Sequence, residues 1–209
     1  MRWIFGLVLL LMLSSGCVDN NTNTIELGAV QVKEYEGKRL DTFDAFRENS
    51  IKGPQHVDIN EYSLIVDGLV GDPLQLSYED VLAHQSYSKV VTLYCVEGWS
   101  ATILWEGVLV KDLINKAGVK GKANTIIFHA YDGYTTALPL DYIIDNNIIL
   151  AYKMNNVTMP RERGYPFELV AEDKEGYKWI KWVTEIELSD DPDYLGYWEK
   201  RGYSNEADI

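Results

Sequence analysis

Short apolar runs separated by turn residues make up most of this chain. Alternating, β-branched or aromatic runs predict strands at residues 62–68, 89–94, 124–130, 135–138, 148–154, 157–159, 167–171 and 182–188. The pair Asn155-Asn156 predicts a hairpin, and Asp132-Gly133 predicts a turn. The predicted strands outnumber the helices and do not alternate regularly with them. The pattern therefore predicts an α+β fold rather than a doubly wound parallel sheet.

Three short helices are predicted from their end signals. Ser77 and Asp80 have the spacing of a capping box, which predicts a helix over residues 78–85. Residues 110–117 have helical periodicity, and Gly118 supplies a C-terminal stop. Pro139 suits the first turn of a short helix that runs through residue 144.

The N-terminus has the pattern of an export signal. Arg2 precedes an apolar run over residues 4–13 that is too short to span a bilayer as a mature helix. Small residues then lead to Cys17, as in a lipobox. We therefore expect a signal peptide at 1–16, a lipid-anchored tether and N-terminal segment at 17–40 acylated on Cys17, and one domain at 41–209. Such a protein is exported and lipid-anchored at the outer face of the cell membrane or periplasmic; a plain secretory signal and a membrane anchor are the alternatives.

Charge and histidine placement exclude several classes of function. The formal net charge is −13, which argues against a nucleic-acid partner because phosphate binding needs a basic face. His56, His84 and His129 are scattered, and no CxxC motif occurs. Zinc, iron–sulfur and covalent haem sites are therefore not predicted. His129 lies in a predicted strand, where a core role is the simpler interpretation.

Cys95 is the main candidate for chemistry. It follows the predicted strand at 89–94 and precedes Glu97-Gly98-Trp99, where the backbone must turn. A soft thiolate at such a turn is well placed to bind a transition metal. Two alternatives stay open from the residues alone. Cys95 could be a buried inert thiol, or a nucleophile that needs a nearby base, which the sequence does not identify.

Three ordered motifs resemble a known family. They are residues 92–100 (TLYCVEGWS) with 105–108 (WEGV), residues 151–155 (AYKMN) with 160–167 (PRERGYPF), and residues 176–183 (GYKWIKWV). In order and spacing they are similar to the sulfite-oxidase-like molybdopterin-binding oxidoreductases, over about residues 43–203. The stand-alone, haem-free exported reductases are the nearest branch. The resemblance implies a mixed, strand-rich α+β fold that buries a mononuclear molybdenum–molybdopterin cofactor.

The resemblance also implies a set of site residues. Cys95 corresponds to the thiolate that binds molybdenum. The expected cofactor-binding residues are Asn49, Arg47, Arg163, Lys178, Trp179, Ile180 and Lys181, with Lys181 and Arg163 on the pterin phosphate side. One position departs from the family, because Glu168 stands where an arginine usually binds the cofactor.

The expected activity is a two-electron transfer of an oxygen atom to or from a small oxo-acceptor or oxo-donor substrate. Because no haem or iron–sulfur motif is present, a separate electron-transfer partner is expected, and the membrane is contacted by the lipid anchor only. The alternative is a non-catalytic lipoprotein module that retains the fold without cofactor. Glu168 favours that alternative, and so does the single Arg2, since exported relatives usually carry twin arginines. The aromatic tail at 194–203 is expected to pack on the domain.

Overall fold

The computed structural model describes residues 30–43 and 46–209. The predicted signal peptide at 1–16, lipidation at Cys17 and most of the tether lie outside these residues. In the described part, no helix is long and apolar enough to cross a membrane.

Strands outnumber helices in residues 30–43 and 46–209, as the α+β prediction requires. In chain order the elements are β1 Glu34–Tyr35, β2 Lys38–Arg39, β3 Leu64–Gly68, β4 Leu74–Leu76, α1 Tyr78–Leu82, β5 Ser86–Tyr94, β6 Ser100–Leu109, α2 Val110–Ala117, β7 Thr125–Ala130, β8 Thr135–Pro139, α3 Leu140–Asp145, β9 Ile149–Met154, β10 Val157–Thr158, β11 Glu168–Val170 and β12 Val183–Ser189. Short 3₁₀ turns lie at Arg161–Arg163, Gly176–Lys178 and Glu199–Arg201.

These strands form two larger sheets and one small hairpin, β1–β2. The first sheet has the order β10-β9-β6-β5, and β11 also pairs with β9. The second has the order β4-β3-β12-β7-β8, in which β12 and β3 are parallel and the other pairs are antiparallel. One continuous apolar core joins the two sheets. The long β5–β6 hairpin belongs to the first sheet and ends in the Cys95 loop.

The helix predictions hold for position and type. The capping box at Ser77 is formed in both directions, although α1 ends at Leu82 rather than at residue 85. The bounds of α2 are those predicted, and Gly118 closes it in a left-handed conformation. Helix α3 begins directly after Pro139.

Strands β1, β2, β4 and β6 are not among the predicted strands, and β6 is the longest of them. It lies between β5 and β9, and most of its side chains are buried on both faces, so polar and apolar residues do not alternate. Its pairing with β9 shifts register between Glu106 and Gly107. A Cβ at Gly107 would lie 2.2 Å from the Leu150 carbonyl oxygen, so this close approach requires glycine.

Candidate functional site

Cys95 lies in the loop of the β5–β6 hairpin, at the end of a strand as the sequence predicts. The last ladder pair joins Tyr94 to Ser100. The loop is closed by the Cys95 N–H donating to the Trp99 carbonyl at 2.9 Å and the Gly98 N–H donating to the Cys95 carbonyl at 2.9 Å. Gly98 has φ +84°, which an L side chain rarely adopts. Two strands and a tight loop thus fix the position of the thiol.

The Cys95 thiol is free and half-buried. The Asn49 side-chain amide donates to its sulfur at 3.7 Å, which brings the predicted N-terminal asparagine to the cysteine. Burial raises the pKa of Cys95, and the charges of Glu97 and Glu175 act in the same direction. The Glu97 backbone N–H and the Asn49 amide oppose this shift. The thiol is therefore protonated at neutral pH until a metal ion displaces the proton.

A cavity of about 390 Å³ opens beside Cys95. That volume suits a small molecule or cofactor. Rings form much of its wall: Phe46, Trp99, Tyr134, Tyr177, Trp179, Trp182, Trp198 and Tyr203. Polar and charged side chains converge between these rings: Arg47, Glu48, Asn49, Ser50, Glu97, Asp132, Arg163, Glu168 and Lys181.

Two of the cavity's buried polar atoms have no hydrogen-bond partner. They are the Trp99 indole nitrogen and the Ser50 hydroxyl. In residues 30–43 and 46–209 the other such side-chain atoms are one oxygen of Asp67 and one of Glu199. Buried polar groups are nearly always paired, and an unpaired donor costs free energy. Orphaned donors beside a cavity indicate that a polar ligand completes them.

The predicted cations Arg163 and Lys181 meet on one wall and hold the N-terminal segment 46–49. Arg163 donates to the carbonyls of Phe46 at 2.7 Å and Arg47 at 3.1 Å, and its guanidinium lies over the Phe46 ring. Lys181 donates to the Glu48 carboxylate at 2.7 Å. Because the same segment carries Asn49, these cations also help to place the Cys95 neighbour.

Two further predicted residues reach the cavity in different ways. Trp179 packs on Trp105 with ring centroids 5.5 Å apart, and its indole N–H donates to the Lys174 carbonyl. Trp179 is thus a fixed part of the wall. The Arg47 side chain is exposed at the rim, 4.0 Å from a carboxylate oxygen of Glu97.

The structure corrects the expectation for Lys178. Its side chain is completely buried, and its ammonium donates to the Ala137 carbonyl at 3.0 Å, Glu199 at 2.6 Å and Asn205 at 3.1 Å. All three donors are used, and Lys178 is not among the cavity-lining residues. The ammonium therefore has a structural role, and in this geometry it has no donor left for the cofactor phosphate.

Ile180 is likewise absent from the cavity lining. Its side chain is fully buried, and its carbonyl accepts from the Leu169 N–H at 2.9 Å. Its side chain supports the wall from behind, and a role for its backbone in binding the cofactor stays a prediction.

Glu168 lies on the same wall as Lys181 and Arg163. Its side chain is only 4% exposed, and it pairs with Lys181 in an isolated β-bridge. Burial raises the pKa of Glu168 to about 8, and the charges of Lys181 and Arg163 oppose this only in part. At neutral pH this carboxyl is therefore mostly a neutral acid.

The sequence did not identify part of the wall. Asp132 is buried and accepts from the Tyr134 N–H at 2.9 Å, so it forms the predicted turn and also lines the cavity. Trp198 and Tyr203 bring the aromatic tail to the cavity, with ring centroids 5.2 Å apart. The abundance of aromatic residues in that tail was the available signal, but it does not show where the tail packs.

His129 belongs to a separate group on the second sheet. Its Nε2 lies 2.9 Å from a carboxylate oxygen of Glu187 and 3.9 Å from one of Glu185. These ligand atoms could hold a cation, and strand pairing alone brings them together. None of the three histidines lines the Cys95 cavity. The geometry therefore does not support a Cys95 nucleophile that uses histidine as its base.

The residues fit a molybdenum–molybdopterin cofactor. A half-buried sulfur lies at one wall, and orphaned donors, a neutral acid and two cations lie along the others. Thiolate sulfur suits the metal, and the cations suit a phosphate.

Comparison with known proteins agrees with this site. Residues 51–198 match the family described as the oxidoreductase molybdopterin binding domain. The uncharacterized oxidoreductase YuiH of Bacillus subtilis is 37% identical over 156 residues, 74% of this chain and 78% of that protein. The putative protein-methionine-sulfoxide reductase subunit YedZ1 of Azospira oryzae is 29% identical over 72% of this chain and 57% of its own length.

A solved structure shows the same fold. The sulfane dehydrogenase SoxCD of Paracoccus pantotrophus aligns with a TM-score of 0.64 and 24% identity, over 66% of this chain and 41% of that one. The strand-rich α+β prediction is thereby confirmed. The chain belongs to the sulfite-oxidase-like family of molybdopterin-dependent oxidoreductases and is an enzyme whose cofactor is molybdenum–molybdopterin.

Proposed function

We propose that this enzyme transfers an oxygen atom, with two electrons, to or from a small substrate outside the cytoplasm. The observation that supports this most is the position of Cys95. Its thiol is fixed in a hairpin loop, is contacted by Asn49, and lies beside a cavity with orphaned polar donors. The alternative of a non-catalytic module leaves these unpaired donors without an explanation.

The bound cofactor would supply a two-electron redox centre able to give or take an oxygen atom. The chain's own residues position and enclose it. Cys95 supplies the sulfur ligand, and Asn49 orients that sulfur from the opposite segment. Arg163 and Lys181 provide positive charge for the phosphate. The ring-lined wall excludes water from the reacting atoms.

In the reductive direction, the substrate is an S-oxide or N-oxide. The substrate loses its oxygen atom, and two electrons and two protons convert that oxygen to water. The proposed electron donor is a separate protein partner that carries a haem or iron–sulfur centre, since residues 30–43 and 46–209 contain no ligand set for either. The acidic charge of −13 favours a partner with a basic docking face.

Steady-state assays test this proposal in both directions. The protein is purified from a host that makes the cofactor and given a reduced viologen with small sulfoxides and N-oxides, or ferricyanide with sulfite. We expect turnover in one direction and a loss of at least about 1,000-fold in Cys95→Ser, since the ligand is removed. Ser88→Ala, on the exposed part of the same strand, is the matched control and should keep full turnover. Equal turnover in Cys95→Ser and the parent protein would contradict the proposal.

We also propose that the protein is exported and anchored by a lipid on Cys17. The short apolar run and the small residues before Cys17 support this. Labelling with a fatty acid should mark the parent protein in the membrane fraction and leave Cys17→Ser unlabelled in the soluble fraction. Equal labelling of both would contradict the anchor and leave the cavity's function untouched.

A further inference from the structure

Glu168 is a buried titratable side chain on the cavity wall that the proposed chemistry does not yet use. Glu168 lines the cavity and is 4% exposed, and no described residue donates a hydrogen bond to its carboxyl. A carboxyl that is largely removed from water and accepts no hydrogen bond from the chain is stabilised when a ligand in the cavity pairs with it.

The backbone fixes this carboxyl beside the two cavity cations. Glu168 faces Lys181 across an isolated β-bridge, and on its other side it pairs with the uncharged Ala151 of β9. The turn that contains Arg163 and Gly164 packs against both Glu168 and Lys181. A Cβ added at Gly164 would lie 3.1 Å from the Glu168 Cβ and 3.2 Å from the Lys181 Cβ.

Neither cation is bonded to Glu168. Lys181 donates to Glu48 at 2.7 Å, and Arg163 donates to the carbonyls of Phe46 and Arg47. The carboxyl therefore lies within electrostatic range of two positive groups without a hydrogen bond to either. An anion bound at this wall would be attracted by both cations and would meet the carboxyl beside them.

We infer that Glu168, in its protonated form, donates a hydrogen bond to the phosphate of the molybdopterin cofactor, next to Lys181 and Arg163. The inference rests on the proposed use of this cavity for the cofactor. A neutral acid can donate where a carboxylate would repel the phosphate, so Glu168 replaces the donor of the arginine usual in this family rather than opposing it. The raised pKa of about 8 keeps that proton in place at neutral pH.

Other charged groups around the cavity influence the pH at which the Glu168 carboxyl loses its proton. Lys181 and Arg163 stabilise the carboxylate, and Glu48 partly neutralises Lys181. Glu97 and Asp132 also line the cavity and add negative charge. Above about pH 8 the Glu168 proton is lost, and a second negative charge then faces the phosphate.

Cofactor retention at two pH values tests the proposed hydrogen bond from Glu168 to the phosphate, and it needs no activity assay. The loaded protein is passed through gel filtration at pH 6.5 and at pH 9.5, and molybdenum and fluorescent pterin are measured per protein. We expect the parent protein to retain at least about 5-fold less cofactor at the higher pH. Glu168→Gln, which donates at every pH, should retain equal amounts at both. Glu168→Leu, which cannot donate, should retain little at either.

Glu79→Gln is the matched control, because Glu79 is exposed on α1 and should respond to pH as the parent does. Near-UV circular dichroism verifies that each variant is folded at both pH values. An equal pH response in the parent and Glu168→Gln overturns the inference, and so does full retention by Glu168→Leu at pH 6.5. In both cases the cofactor still binds and the proposed function stands. Parent protein without molybdenum at either pH would instead overturn the proposed function, and this inference with it.

Discussion

Two buried groups of charges lie close together in sequence and differ in how they are satisfied. Lys178 is completely buried and gives all three of its donors to Ala137, Glu199 and Asn205. Glu168, near Lys181, is almost as buried but receives no hydrogen bond from the described residues. In the first group the ammonium uses all three of its donors within the folded chain, although one oxygen of Glu199 stays unpaired. The second group faces a cavity, where its carboxyl can pair with a ligand.

This difference separates a structural role from a binding role. The Lys178 network ties the C-terminal segment to the domain, because Glu199 and Asn205 both come from that segment. Glu199 also accepts from the Thr136 hydroxyl at 2.8 Å. Lys178 has no donor left for a ligand, and neither Lys178 nor Glu199 lines the cavity. A carboxyl that faces the cavity without a hydrogen bond can lose its unfavourable burial when a ligand binds.

The largest effect on stability is expected at Lys178. Lys178→Met leaves the Glu199 carboxylate buried without its counter-charge and should lower the free energy of unfolding by about 3–5 kcal/mol. Lys181→Met should lower it by no more than about 1 kcal/mol, because that pair is partly exposed at the cavity. Urea unfolding of the cofactor-free variants measures both. Equal losses would remove the distinction between the two groups.

The next effect concerns the two glutamates. The pKa of Glu168 is raised from 4.5 in the unfolded chain to about 8 in the folded protein, so the folded state keeps a proton that the unfolded state releases. The resulting stability is complete below pH 4.5 and is lost as pH rises to about 8, by up to about 5 kcal/mol. Glu168→Gln should therefore flatten the pH profile of unfolding and exceed the parent protein in stability above pH 8.

Glu199→Gln is the opposing control. It should destabilise the protein at every pH, since Lys178 then stays buried without a negative partner. If both glutamine variants shift the profile in the same direction, the two carboxyls have the same role and the comparison fails.

A smaller effect is expected at Asn49, which orients the Cys95 sulfur. Asn49→Ala should weaken molybdenum retention by about 10-fold, as for other residues that orient a metal ligand, with little change in unfolding. The molybdenum lost from the protein over time during dialysis gives the rate of metal release. Asn60→Ala provides the control, because the exposed Asn60 side chain bonds Asp58 at the surface. Retention equal to that control would show that the contact does not position the sulfur.

The smallest effect is expected at the cavity rim. Arg47 and Glu97 lie 4.0 Å apart with mostly exposed side chains, so Arg47→Ala should change the free energy of unfolding by less than about 0.5 kcal/mol. Thermal unfolding at two salt concentrations measures it. A loss above about 1 kcal/mol would show that the rim is part of the buried network.

The sequence predicts the features that depend on local signals. The capping box at Ser77 and the stop at Gly118 locate α1 and α2 because both act within one turn. The Cys95 loop is equally local, since the residues that close it are within the same motif. Strand β6 escapes prediction because its burial on both faces depends on its neighbours β5 and β9.

The roles of Lys178 and Lys181 show the same limit at the site. Both occur in one motif, three residues apart, and composition does not tell them apart. The tail at 194–205 determines the two roles, because it packs back on the domain. It places Glu199 and Asn205 against Lys178, while Lys181 faces the cavity. The position of Glu168 on the cavity wall also depends on a long-range contact, the β-bridge to Lys181.

The central claim is that the Cys95 cavity holds one molybdenum cofactor. Molybdenum per protein, measured by elemental analysis after expression in a host that makes the cofactor, tests it most directly. The account predicts close to one molybdenum in the parent protein and less than about a tenth of that in Cys95→Ser, with unfolding nearly unchanged. Equal molybdenum in the two proteins, or none in the parent, would contradict it.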